Sequence, residues 1–261
     1  MTFRKAERHV YMEYINAKGI IVYQTDFNEA DRMLTVLTDS EGIISVKAAG
    51  IRSLKRHDLA GAKPFIYGDY ILTRSGDHYG IKECNIINAF LDITKDLDTL
   101  STGCYILDIA GNMILPGEPS IEIFRLTLNS IFALNQGKAD KKLLKAAYEM
   151  KICDLLGYTP HTFECMECFE EIEGDFCYFD LLNGGILCKN CCSSLNKNIL
   201  KISTSTIEAI NYVIDSDIKA FLSFKLNDSC LREFSEICEK FFLIHSGHTP
   251  KTLDYLKEMQ E

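Results

Sequence analysis

Cys165-Met166-Glu167-Cys168 and Cys188-Lys189-Asn190-Cys191, with nineteen residues between them, are the stretch around which the chain is organised. Each is a C-x-x-C. A two-residue gap lets both sulfurs turn towards one ion at about 2.3 Å, and two such pairs complete a tetrahedron. Between them Asp175-Phe176-Cys177-Tyr178-Phe179 reads as a rising strand and Gly184-Gly185-Ile186-Leu187 as its return. The stretch is therefore expected to be a hairpin module, residues 161–195. Thiols merely close in sequence, or a redox pair, produce one such pair far more readily than two. Four thiolates close the coordination shell and leave no position for an activated water. The expectation is one structural Zn²⁺ held by Cys165, Cys168, Cys188 and Cys191, in preference to a set using the neighbouring Cys192.

On both sides of the module apolar residues recur every three or four positions, the period of a helix with one buried face. Upstream, Leu100, Cys104, Leu107, Gly111 and Ile114 form a stripe that ends at Pro116-Gly117. Ile121, Phe124, Leu128, Ile131 and Leu134 form the next, closed by Gly137. A third, with Leu143, Ala147, Met150 and Cys153, opens at Asp140 and stops at Gly157. Downstream, Ser205-x-x-Glu208 reads as a capping box ahead of Ile207, Ile210 and Ile214. A longer helix is expected from Asp228 to His245 and a short one after Pro250. These stripes read as core.

Before Asp98 the period is that of strands. Gly19–Thr25, Arg32–Thr38, Ile43–Ala48, Phe65–Arg74 and Tyr79–Ile87 are rich in β-branched and aromatic residues and bounded by Gly, Asp and Ser. Five short strands with a longer insertion between the third and fourth suit a closed OB-fold barrel, with a β-sandwich fragment as the plainer alternative. The expected class is α+β. Residues 1–17 are an extension without assigned role, 18–92 a five-stranded OB-fold β-barrel, and 93–261 an all-helical domain with the inserted four-cysteine zinc module.

A length of 261 residues accommodates two cores, and 47% hydrophobic with 25% charged residues is an ordinary globular composition. Eleven cysteines could suggest a secreted disulfide scaffold, but Met1-Thr2-Phe3-Arg4-Lys5-Ala6-Glu7-Arg8 has no apolar signal core. A reducing, cytoplasmic setting is expected. No run is long and apolar enough to span a bilayer, so no membrane partner is expected. The six histidines are scattered, and neither G-x-S-x-G nor a phosphate-binding lysine motif occurs. Gly184-Gly185 precedes a cysteine pair and not a helix, so it is no phosphate cradle. Neither an enzyme nor a small-molecule substrate is expected.

The net charge of −9 is unevenly spread. Residues 1–80 hold eleven Lys/Arg against ten Asp/Glu, so the acidity belongs to the remainder. From Lys47 to Lys63 the chain carries Lys47, Arg52, Lys55, Arg56 and Lys63 against one acid, Asp58. Gly50 and Gly61 punctuate this stretch, which is expected to be a loop or short helix beside the barrel. Its cations are candidate DNA phosphate contacts, with Tyr23, Phe65 or Tyr67 available for base stacking. A solvated surface loop is the plainer explanation. The cysteine module is its opposite: Glu164, Glu167, Glu170, Glu171, Glu173, Asp175 and Asp180 occur in 164–180 without a Lys or Arg. That surface repels phosphate, and suits a staple or a protein-docking face.

Several stretches in order resemble the bacterial RecO family of DNA repair proteins, from about Lys18 to Cys191. They are Tyr23-Gln24-Thr25-Asp26-Phe27-Asn28-Glu29-Ala30-Asp31-Arg32, then Ala49-Gly50-Ile51-Arg52-Ser53-Leu54-Lys55 running into Leu59-Ala60-Gly61-Ala62-Lys63-Pro64-Phe65. Leu115-Pro116-Gly117-Glu118-Pro119 follows, and Tyr148-Glu149-Met150-Lys151 with Leu155-Leu156-Gly157-Tyr158-Thr159-Pro160. The two cysteine pairs, with Gly184-Gly185-Ile186-Leu187 before the second, complete the set. The resemblance implies an OB-fold, a helical domain with a four-cysteine zinc site, and a nucleoid-associated recombination mediator. Such a protein binds single- and double-stranded DNA and anneals complementary strands. It works with RecR so that RecA displaces single-stranded-DNA-binding protein. The family's grip on that protein's acidic tail is assigned to no residue here. A zinc-stabilised protein–protein adaptor with only incidental DNA binding is the competing reading.

Overall fold

In the computed structural model, which describes residues 13–51, 62–193 and 196–260, the first strand is also the longest. Strand β1 (Glu13–Asp26) pairs over residues 13–20 with β4 (Ile66–Ser75) and over residues 19–26 with β2 (Arg32–Thr38). Gly19 sits at the changeover, opposite both Thr38 and Gly68. A Cβ there would lie 2.8 Å from Val36 Cγ1 and 2.9 Å from Leu37 O, so only glycine lets the three strands approach. A register shift between Ile21 and Tyr23 helps the strand bend from one partner to the other. With β3 (Ile43–Ala48) and β5 (His78–Ala89) the sheet closes in the order β1-β2-β3-β5-β4, and β3 and β5 run parallel. This is a five-stranded closed barrel with OB-fold order, and closure leaves no sheet edge open. Ile21, Leu34, Val36, Ile44, Val46, Tyr70 and Leu72 fill its interior. Each such burial contributes about 1.5–3 kcal/mol.

Among the described residues β1 already runs from Glu13, five residues before the expected barrel boundary at Lys18. Only Ile15 and Ala17 of the added segment turn inward, too few apolar residues to give a period; the pairing with β4 makes it a strand. Lys47 lies within β3, as the expected strand Ile43–Ala48 has it, opposite Met33 of β2, and so stands outside the loop in which the Lys47–Lys63 stretch also placed it. The barrel unit comprises the described residues up to Phe90 together with Ile114–Ser120.

The second unit, Leu91–Met113 and Ile121 onwards, starts with a short 3-10 helix (Leu91–Lys95). It continues with α1 (Leu97–Met113), α2 (Ile121–Asn135) and α3 (Lys141–Leu155). After the cysteine module come α4 (Thr204–Asp215), α5 (Asp228–Ser246) and α6 (Leu253–Gln260). Among the described residues no helix is long and apolar enough to cross a membrane. Helix α3 is buried from Leu143 to Cys153, including three charged residues. Lys145 Nζ lies 2.8 Å from both Glu149 Oε1 and Glu239 Oε2, and Tyr105 donates to Glu149 Oε1 at 2.5 Å. Burial opposes the charge on Lys145, but the carboxylates of Glu149 and Glu239 hold its ammonium above its ordinary range.

The module's sheet has three strands where a two-stranded hairpin is expected. Its order is β7 (Gly185–Leu187), β6 (Phe176–Asp180), β8 (Ile199–Ser203). β8 pairs with β6 through Cys177 and Ile202, a long-range choice that its short apolar run does not announce. It also moves the cap of α4. Ser203, at the end of β8, accepts from Thr206 N, so the helix opens two residues before the expected Ser205.

Candidate metal centre and nucleic-acid interface

The chain brings its first cysteine pair to the hairpin by backbone hydrogen bonds. His161 N donates to Gly184 O at 2.7 Å, Ile186 N to His161 O at 3.0 Å, and Met166 N to Ile186 O at 2.9 Å. The approach is close enough that a Cβ on Gly185 would run into Met166 Sδ and lie 2.9 Å from His161 O. At the hairpin tip, Asp180 Oδ1 accepts from the backbone of Leu182 and Asn183, and Gly184 takes φ 67°. Both glycines serve the hairpin. The second pair follows β7 directly, and Cys188 N donates to Cys165 Sγ at 3.3 Å.

The result is a cluster of four sulfurs, Cys165, Cys168, Cys188 and Cys191, all within 4.8 Å of one another. Tetrahedral thiolates at about 2.3 Å from an ion stand about 3.8 Å apart. The Cys168 and Cys188 sulfurs are 3.9 Å apart. The cluster can hold a metal ion. Its electrostatics ask for one: the neighbouring sulfurs of Cys188 and Cys168, with burial, push the Cys191 thiol up to about 12. Cys165 is different. Burial opposes its ionisation, but the backbone N–H groups of Cys168, Cys188 and Glu167 pull it down to about 6. A divalent cation offsets the mutual repulsion of four thiolates. Cys177, buried on β6, and Cys192 stand outside the cluster.

The barrel carries a groove of about 490 Å³. One side is the β1–β2 loop with Phe27, the floor is Met33, Ser45 and Lys47 of β2 and β3, and the far side is Asp77 of the β4–β5 turn with His78 and Tyr79 at the start of β5. OB-folds take oligonucleotides across these strands and between these two loops. Phe27 is 59% exposed, and Lys47 Nζ stands 5.4 Å from its ring centroid. An exposed ring beside an ammonium is the pairing that holds a base and its phosphate. The loop that presents Phe27 is ordered by Asn28, whose side-chain oxygen accepts from Ala30 N and Asp31 N at 3.0 and 2.7 Å.

The sequence candidates divide three ways. Lys47 lines the groove, 2.9 Å from Asp31 Oδ2. Lys63 is exposed in the turn before β4. Arg52, Lys55 and Arg56 lie outside the described residues. Among the stacking candidates Phe65 is buried, at φ 64°, and Tyr23 and Tyr67 are half-buried. Phe65 cannot stack on a base; of the groove's Phe and Tyr rings Phe27 is exposed, whereas Tyr79 is half-buried. Sequence reasoning passed over Phe27 because it falls between strands. An aromatic in an otherwise polar loop was the signal available.

Residues 12–90 match the family model described as Recombination protein O N terminal, and residues 94–254 the one described as Recombination protein O C terminal. The chain is also similar to curated proteins named DNA repair protein RecO. The one from Acetivibrio thermocellus is 29% identical over 248 residues, covering 95% of this chain and 98% of the relative. The one from Caldicellulosiruptor saccharolyticus is 25% identical over 246 residues, covering 94% and 99%.

Proposed function

The chain belongs to the RecO family of DNA repair and recombination proteins, and from that premise we propose that it is a non-enzymatic recombination mediator. It binds single- and double-stranded DNA, anneals complementary strands, and acts with RecR to load RecA onto DNA coated by single-stranded-DNA-binding protein, in the cytoplasm at the nucleoid. The observation that carries this reading is the barrel groove, where Phe27 and Lys47 stand together between the two loops. Phe27 stacks on a base, and Lys47 and Lys63, with Arg52, Lys55 and Arg56, neutralise phosphates. Zn²⁺ is the ion for Cys165, Cys168, Cys188 and Cys191, since a closed tetrahedral thiolate set suits it. It supplies cross-linking of the two knuckles and no chemistry on a substrate. The test is annealing of complementary oligonucleotides coated with single-stranded-DNA-binding protein, with and without RecR. Acceleration is expected. Absence of both DNA binding at low salt and annealing overturns the mediator reading.

One observation favours the adaptor as a second reading. Phe169, directly after the first knuckle, is 68% exposed at φ 60°. A bulky residue held in that conformation while exposed to water suits a protein-docking point on the acidic face of the module.

A further inference from the structure

The helical unit contains a second, basic cleft. It is lined by α3, α5 and α6 and measures about 360 Å³. Lys142 and Lys145 of α3, Arg232 and Lys240 of α5, and Lys257 of α6 face two carboxylates, Glu236 and Glu239. Three positive charges are thus in excess along the lining, two once Glu149 behind Lys145 is counted, in the part of the chain that carries the protein's acidity.

The cations are held in place. Lys145, buried, forms the floor, and Glu239 grips it at 2.8 Å while gripping Lys257 at 2.6 Å with its other oxygen. Glu236 holds Lys240 at 2.5 Å, and Glu149 backs Lys145 from the interior. Lys142 and Arg232 are exposed on the rim and make no ion pair among the described residues. Among the described residues the lining contains no aromatic and no aliphatic side chain, only the stems of the charged residues and Ser235. An acidic peptide with apolar anchors finds no pocket here. A run of phosphates needs none.

Resting on the reading of the chain as an annealing protein, we propose that this cleft binds the phosphodiester backbone of a second DNA strand. The barrel groove holds a strand partly by a base face, through Phe27. A cleft of fixed cations without a ring holds a strand by its phosphates alone and leaves its bases free to pair. Annealing requires one strand presented in that way.

The experiment uses the full-length, metal-loaded protein and a fluorescent oligothymidine. Wild type is expected to bind two strands per chain at saturation. The double variant Lys142→Ala/Arg232→Ala, which removes only exposed and unpaired cations, is expected to bind one and to keep its melting temperature. It should also show a shallower dependence of log affinity on log salt for the weaker site, by about 0.7 for each phosphate no longer neutralised, and slower annealing. Two strands per chain with an unchanged salt slope in the variant overturn the cleft and leave the barrel site standing. So does a variant that keeps both strands while losing affinity for oligoglutamate, which would assign the cleft to acidic protein. A wild type that binds no DNA overturns the mediator reading itself. A Phe27→Ala variant separates the sites further, because it should weaken the first strand and spare the second.

Discussion

Lys47 Nζ lies 2.9 Å from Asp31 Oδ2, so the cation at the centre of the barrel groove is already paired. Asp31 is well supplied with donors: Gly50 N reaches its Oδ1 at 2.8 Å and Asn28 Nδ2 its Oδ2 at 2.9 Å. The Gly50 N–H, then Lys47 and Asn28, hold its carboxyl down to about 2. Other barrel cations are paired too, Arg32 with Asp26 at 2.9 Å and Arg74 with Glu41 at 3.9 Å. A phosphate approaching this face competes with carboxylates.

Removing the competitor should therefore tighten DNA binding. Asp31→Asn is expected to raise affinity for single strands and to steepen the salt dependence by about 0.7, the increment for one more neutralised phosphate. A depressed carboxyl contributes stability above its unfolded pKa of about 3.9 and loses it as pH falls towards 2. Between pH 5 and 8 the effect of the substitution should thus be flat. An unchanged salt slope would remove Lys47 from the residues that grip phosphate.

Phe27→Ala tests stacking. A base–aromatic stack contributes about 1–3 kcal/mol, so binding of oligothymidine should weaken by about 5- to 150-fold. The ring is exposed, and unfolding in urea should shift by no more than about 0.5 kcal/mol. A large stability loss with unchanged affinity would mark Phe27 as structural.

Cys188→Ser opens the thiolate shell. Elemental analysis should find one zinc per chain in the wild type and well under one in the variant. Metal binding to such sites is coupled to folding, so the helical unit should lose at least about 3 kcal/mol, a drop in melting temperature of about 6–12 °C. A chelator should reproduce that drop in the wild type and not in the variant. Equal melting temperatures would show that the sulfur cluster is not a staple.

The buried charges of α3 allow a sharper stability test. Lys145→Met strands Glu149 in the core and should cost about 3–5 kcal/mol in urea unfolding. Adding Glu149→Leu should recover most of that loss, because a matched apolar pair carries no uncompensated charge. If the double variant is no more stable than the single one, Tyr105 and Glu239 carry more of the network than the geometry suggests.

The sequence by itself determined the parts whose signal is local. Two cysteines three positions apart need only a knuckle to meet, and nineteen residues suffice for a hairpin to bring the pairs together. Strands β2 and β3 and the helical stripes were legible for a related reason: a side chain's burial repeats every two or every 3.6 residues whatever lies opposite. Tertiary structure decided the rest. Glu13–Ala17 and β8 became strands through their partners β4 and β6. Phe65, an expected stacking ring, turned inward, while Phe27 came to the groove on a loop without a period. Lys47 was countable as a charge, but its pairing with Asp31 required two strands in register. The cleft is the clearest case: Lys142, Arg232 and Lys257 are far apart in a chain that looks acidic there, and only the packing of α3, α5 and α6 collects them. A net charge sums along the sequence, whereas a phosphate responds to the few charges within a Debye length of it in space.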